Sequence, residues 1–474
     1  MLSQSCLCNF SAKVLIFSQT SVNNVAFYCS VWKKCVFLLQ LLTNKIYKNM
    51  KLTKKAVIAA FLLTVAVPMS AHSLPRIGKK SATVILDGVN YKLNAKEQKA
   101  MVIAGTNLYA GDVVIPMKIV VDSISYFVEE IDGGAFKDCL SMTSIQIPES
   151  VNEIGSGAFK NCSSLEKITI PKSITKIKDG TFEGCSSLKE VNLHNNLDAL
   201  GSGTFKKCSA LDSIAIPIGI EELGSDIFED CTSLKKVVIP TGVEKIGSGA
   251  FENCASLDSI SIPNSVKKIG SNAFKNNASL LTFNFTSSMN EIPNSIFEGC
   301  TSLRSVTITN SIKEISTEAF KNCSSLDSVY IPNSVAKIGS SVFEDCNNLR
   351  AIRIPSGLEV IPSKMLKNCS NIKQIVLPNA LKKINSDAFN GCASLKSIDI
   401  PSGVKEIESG AFENCPSLTK VTVKSGIPPK VNKSSFSKSF LYEGTLYVPV
   451  PSSYKSNPKL HWSKFRNVEA IRIQ

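Results

Sequence analysis

Sixteen cysteines in 474 residues are enough to build a metal centre, a redox relay or a disulfide framework. Spacing decides which. Four of them, Cys6, Cys8, Cys29 and Cys35, precede Met50. The other twelve run from Cys139 to Cys415 in steps of 23 residues, with Asn277 the single replacement. Zinc sites gather thiolates in close pairs such as C-x2-C, and no such pair occurs beyond Met50. One thiol per 23 residues points instead to a repeated unit. Free cysteine packs as a small apolar side chain, so the file reads as structural. Export to oxidising surroundings keeps paired disulfides open as the alternative. Equivalent Cα atoms of stacked units would approach the ~5 Å that a bridge tolerates, although side chains in register point the same way.

Other catalytic constellations are missing. Of the three histidines, His72 falls in a leader segment, His194 takes the place of a strand-ending proline, and His461 adjoins Trp462. None lies near a nucleophile motif. The recurring "GSG" is a turn rather than a nucleophile elbow, and there is no phosphate-cradling loop or dinucleotide fingerprint. The sequence therefore implies no enzyme activity, no catalytic residue, no cofactor and no metal.

What positions the thiols is the repeat. "GAFKDC" at Gly134 returns as "GAFKNC", "GTFEGC", "GTFKKC", "DIFEDC" and "GAFENC". Its phenylalanine recurs every 23 residues from Phe136 to Phe412, with Leu366 filling one place, which gives thirteen units without insertion or deletion. Counting from Phe159, Cys162 is at +3, Leu165 at +6, Ile168 at +9, Ile170 at +11, Pro171 at +12, Ile174 at +15 and Ile177 at +18. The alternation Ile168-Thr169-Ile170 is a short strand with two inward residues and one outward. The proline removes a backbone donor and stops it. Small residues at +19 to +21 permit a tight turn. One unit cannot bury its apolar side chains alone, so units must stack.

The pattern C-x-x-L-x-x-I-x-I-P-x-x-[VI]-x-x-I-G-x-x-A-F resembles the 23-residue leucine-rich repeat of the BspA-like bacterial surface proteins. The resemblance implies a leucine-rich-repeat solenoid, a horseshoe with a parallel β-sheet on its concave side and β-rich caps. Residues 136–424 would hold the repeats. Residues 74–135 alternate apolar and polar positions and resemble the family's β-hairpin entry. Residues 425–474 break the period and form the C-terminal cap, with Trp462, Phe465, Ile471 and Ile473 expected to cover the last repeat.

The net charge of +14 would suggest nucleic acid if it were spread over the chain. Residues 1–80 carry ten Lys, one Arg and no acid, which leaves +3 for the rest. A solenoid so balanced has no phosphate-binding field, and no nucleic-acid partner is expected. Within that basic leader, residues 50–73, "MKLTKKAVIAAFLLTVAVPMSAHS", have the layout of a secretory signal peptide. Its apolar run is shorter than the ~20 residues a membrane span needs. Residues 1–49 read as a misassigned extension before the true start at Met50, or as part of a long leader. The mature chain is then secreted or at the cell surface, with no membrane span.

Function must lie on the outward positions, +7, +8 and +10, which vary while the core positions hardly change. One group stands out. Arg304, Asp327 and Arg350 at +7, with Tyr330 and Arg353 at +10, fall on three consecutive units and one face. Tyr and Arg are enriched at binding hot spots, and Arg forks suit carboxylates or acidic sugars. The seventh unit is irregular: Asn277 replaces Cys, Phe283 and Phe285 replace aliphatic residues, and Thr286 replaces Pro. It is expected to bend the solenoid or open a pocket there, unless it is only drift. The resemblance implies adhesion to a host matrix or cell-surface protein; an envelope scaffold and a polysaccharide-binding module are the alternatives.

Overall fold

The computed structural model describes residues 81–456 and 461–471. The extension 1–49, the leader 50–73 and Ile473 lie outside the described residues.

Each unit forms one coil with three sides. The first side carries the expected strand. Lys167–Thr169 runs parallel to Glu190–Asn192, pairing Lys167 with Glu190, Ile168 with Val191 and Thr169 with Asn192. Ile168 is buried between exposed Lys167 and Thr169, and the +6 and +11 residues Leu165 and Ile170 are buried as well. Thus +6, +9 and +11 face the core and +7, +8 and +10 face out.

The second side is a ladder that strand alternation alone does not announce. Two-residue strands at +17 and +18 repeat along the stack, and Lys176–Ile177 pairs with Ala199–Leu200. In this register Ile177 is buried while Lys176 faces solvent. Its outer row holds several oppositely charged neighbours, as where Lys337 meets Glu314 at 2.6 Å. Such exposed pairs add little stability each.

The third side is built by the "GAFKNC" segment. Gly157, Phe159 and Asn161 donate to the carbonyls of Asp179, Thr181 and Glu183 in the next coil, at 3.0, 2.9 and 2.6 Å. This geometry requires left-handed backbone at two places, Gly157 (φ 61°) and Asn161 (φ 62°). Gly tolerates that region freely, and Asn and Asp better than most residues. The two positions are accordingly filled mainly by Gly, Asn and Asp along the chain.

Behind this side the phenylalanines stack. Phe136 and Phe159 lie 5.2 Å apart between centroids and 4° from parallel, and the spacing reaches 5.8 Å at Phe274 and Phe297. Tyr109 closes the file at one end, 4.8 Å from Phe136. Phe436 closes the other, 5.2 Å from Phe412.

The N-terminal cap supplies the first rung of both ladders. Its strands are β1 (Ser81–Leu86), β2 (Val89–Asn94), β3 (Lys99–Ile103), β4 (Gly111–Val114), β5 (Lys118–Val121) and β6 (Ile124–Ile131). β1 and β2 form the expected hairpin over Asp87 and Gly88, both with positive φ, as a primed turn requires. β4 pairs in parallel with Met142–Gln146, the first strand of side one. β6 pairs with Glu153–Ile154, the first of side two.

At the far end, Thr445–Val448 and Asn467–Ala470 extend the first ladder beyond the periodic region. Helices α1 (Lys438–Glu443) and α2 (Pro451–Lys455) flank Thr445–Val448 in the chain. Trp462 and Phe465 are buried as expected, and the Trp462 indole N–H donates to the Pro429 carbonyl at 2.6 Å. Ile471 is only half-buried and covers less than its apolar character suggested.

The irregular seventh unit lies beside a coil that lacks the regular strand. Phe283 and Phe285 fill the core against Phe297, at 4.8 and 6.0 Å, and Thr282–Asn284 pairs forward with Ser305–Thr307. Ser259–Ile262, the matching segment of unit six, is left without strand pairing on either side. Among the described residues it is the only +8 to +10 segment so placed.

Candidate functional site

The cysteine file is chemically quiet. The Cys162 thiol donates to the Phe136 carbonyl at 3.1 Å, and Cys185 does the same to Phe159 at 3.2 Å. The pattern continues to Cys415 and Phe389. All twelve are buried free thiols. Burial pushes the Cys139 thiol up to about 11 and those of Cys300 and Cys415 to about 12, from an ordinary 9.0. A thiol so raised is neither nucleophile nor metal ligand near neutral pH. His194 is equally structural: its Nε2 lies 2.7 Å from the Pro171 carbonyl, and its Nδ1 accepts from the Asn196 N–H. No group of three or more His, Cys, Asp or Glu is arranged to hold a metal among the described residues.

The face of the first ladder is where reactive side chains stand free. The five residues singled out from the sequence resolve into two couples and one single cation. Tyr330 and Arg353 sit directly opposite on paired strands. The Arg353 guanidinium lies 4.6 Å from the Tyr330 ring centroid and also donates to its hydroxyl. Arg350 stands one coil beyond Asp327, with 3.5 Å between guanidinium and carboxylate, and both remain exposed. Arg304, one coil earlier on the same file, makes no ion pair among the described residues.

The charge on this file changes character along the stack. From Glu166 through Lys189, Asp212 and Lys235 to Asp258 the +7 residues alternate in sign, and Lys189 pairs with Glu166 at 3.3 Å. From Arg304 onward one acid, Asp327, faces Arg304, Arg350, Lys373 and Lys396. Lys373 and Lys396 also lack an ion pair among the described residues. Attention to Tyr and Arg passed over these lysines, although the register placed them on the file. It also passed over Val376, the +10 neighbour of Arg353, which is 78% exposed. Its signal, an aliphatic residue at the outward +10 position, was already in the register. Cations flanking an exposed apolar side chain suit a protein surface with acidic and apolar groups.

Comparisons with known proteins agree with this architecture. The model for the BspA type leucine rich repeat region matches in six copies, over residues 122–235, 221–350 and 313–442. A leucine-rich repeat protein from Bacteroides ovatus is similar at 29% identity and TM-score 0.74, covering 82% of this chain and 100% of its own. A leucine rich cell surface protein from Faecalibacterium prausnitzii is similar at 29% identity and TM-score 0.52, covering 72% and 94%. The pneumococcal vaccine antigen PcpA shares the fold at 21% identity and TM-score 0.52, covering 83% and 100%. No curated protein matches the chain. With more than half its length matched by the family model, the chain belongs to the BspA-type leucine-rich-repeat family.

Proposed function

We propose that the chain is an exported, non-catalytic bacterial surface protein that holds a protein partner against the outer face of its first ladder. Adhesion to a host or neighbouring-cell protein is the role this suits. The observation that carries it is the run of Arg304, Arg350, Arg353, Lys373 and Lys396, in which Asp327 pairs with Arg350 alone, around exposed Tyr330 and Val376, on a scaffold whose inward positions scarcely vary. Of these, Tyr and Arg are the residue types enriched at binding hot spots. Membership of a repeat family with a cell-surface relative supports the location, as does the signal-like leader at residues 50–73. No described helix is long and apolar enough to cross a membrane. A polysaccharide role is less well served on this part of the face. Its aromatic ring, Tyr330, has a guanidinium 4.6 Å from its centroid where a sugar would stack.

Location separates adhesion from scaffolding inside the envelope. Intact cells treated with an impermeant protease should lose the protein if it adheres to outside partners. Full protection until the envelope is opened would favour the scaffold.

A further inference from the structure

The unpaired segment Ser259–Ile262 lines an open groove of about 520 Å³ on the first-ladder face, a volume in the range of small-ligand clefts. Three kinds of group line it. Lys235 and Lys236 stand on the side of unit five, and neither makes an ion pair among the described residues. Ser259, Ser261, Thr282 and Asn284 present hydroxyls and an amide. Ile260 and Ile262 are half-buried, as Val191 and Ile239 are at the matching positions of other units, and add apolar surface.

The main chain contributes too. The N–H and C=O groups of Ser259 to Ile262 make no backbone hydrogen bond, and such groups must find partners in water or in a ligand. No acidic side chain lines the groove. Asp258, which precedes it, is engaged by the Ser259 hydroxyl at 2.8 Å.

We propose that this groove binds an acidic sugar residue, a pyranose carrying a carboxylate, either free or as part of a glycan chain. Lys235 and Lys236 take the carboxylate. The hydroxyls, the amide and the unpaired main chain take the ring hydroxyls, and Ile260 and Ile262 meet the apolar face of the ring. A neutral sugar would leave the two cations unmatched, and a simple anion would leave the hydroxyl and backbone groups unused. The site lies in units five to seven, N-terminal to the Arg304–Arg353 cluster, and does not depend on the protein-binding reading.

The test is calorimetry with saturation-transfer NMR on the full chain, using glucuronate, glucose and a hyaluronan hexasaccharide. Glucuronate should bind saturably and at least tenfold more tightly than glucose. Lys235→Gln with Lys236→Gln should weaken glucuronate at least tenfold, and Ser261→Trp, which fills the groove, should abolish binding. Arg350→Ala with Arg353→Ala should leave it unchanged. A hexasaccharide that binds more tightly than glucuronate identifies the source as a glycan; one that binds no better identifies the free sugar. The proposal is overturned if glucuronate does not saturate, if glucose binds equally well, or if the Lys235, Lys236 and Ser261 variants bind as the wild type does.

Discussion

The thiol of Cys162 donates to the main-chain carbonyl of Phe136, 3.1 Å away in the preceding coil. That bond gives the recurrent cysteine its role, and it forms equally where the carbonyl belongs to Leu366. The ring fills the core behind the third side, and the sulfur of the cysteine three residues later ties its coil to the one before. Every one of these thiols is buried, out of reach of a reagent in the folded chain. The native protein should therefore react negligibly with a thiol reagent, while protein denatured without reductant should show the twelve thiols of the repeats. Denatured protein without free sulfhydryls would replace the file with disulfides.

Asn277 is the exception in the file, and its amide nitrogen and oxygen are both buried without a partner. Leaving such a group unsatisfied costs ~1–3 kcal/mol. Asn277→Cys restores the regular side chain and should stabilise the protein by about that amount in chemical denaturation. A loss of stability would mean that the amide has a partner, such as bound water, that cysteine cannot replace.

The raised thiol pKa values set an alkaline limit. The folded state holds its thiol protons up to about 11 or 12 at Cys139, Cys300 and Cys415, while unfolded thiols ionise near 9.0. Between those values the unfolded state binds fewer protons, so stability falls as pH rises. Below pH 9 the contribution is fully present. The denaturation midpoint should drop between pH 9 and 11, and Cys300→Ala should make the drop shallower even though it lowers stability at pH 7. An unchanged slope in that variant would assign the alkaline loss to other groups.

Phe251 lies in the ring file, 5.4 Å from Phe228 and 5.3 Å from Phe274. Phe251→Ala removes a fully buried ring from an interior coil that cannot collapse without shifting two neighbours. It should cost about 3–5 kcal/mol. Because coils contact only their neighbours, hydrogen exchange should show the loss concentrated near units five to seven. Uniform loss along the chain would contradict nearest-neighbour stacking.

Much of the fold was legible because no residue is inserted or deleted between Phe136 and Phe412. The inward and outward positions around Ile168 follow from simple alternation. The second ladder was not, since a two-residue strand such as Lys176–Ile177 has no alternation to read. The left-handed residues were half legible: Gly157 announces a turn, whereas Asn161 looks like any surface asparagine. At the candidate site, the register put Tyr330 and Arg353 on one face, but their stacking depends on side-chain conformations that no spacing encodes. The groove at Ser259 was foreshadowed by the unusual residues of unit seven, for Phe285 and Thr286 line it together with the segment of unit six.

The central claim is that a protein partner is held on the face that carries Arg350 and Arg353. The most direct measurement is surface plasmon resonance of the full chain against a panel of matrix and cell-surface proteins, with Arg350→Ala and Arg353→Ala together as the comparison. Both side chains are outside the core, so the variant should fold and melt as the wild type does. The account predicts saturable binding to at least one protein, weakened tenfold or more in the variant and weakened also by added salt. Binding of equal strength in the variant, or no binding across the panel, would contradict it.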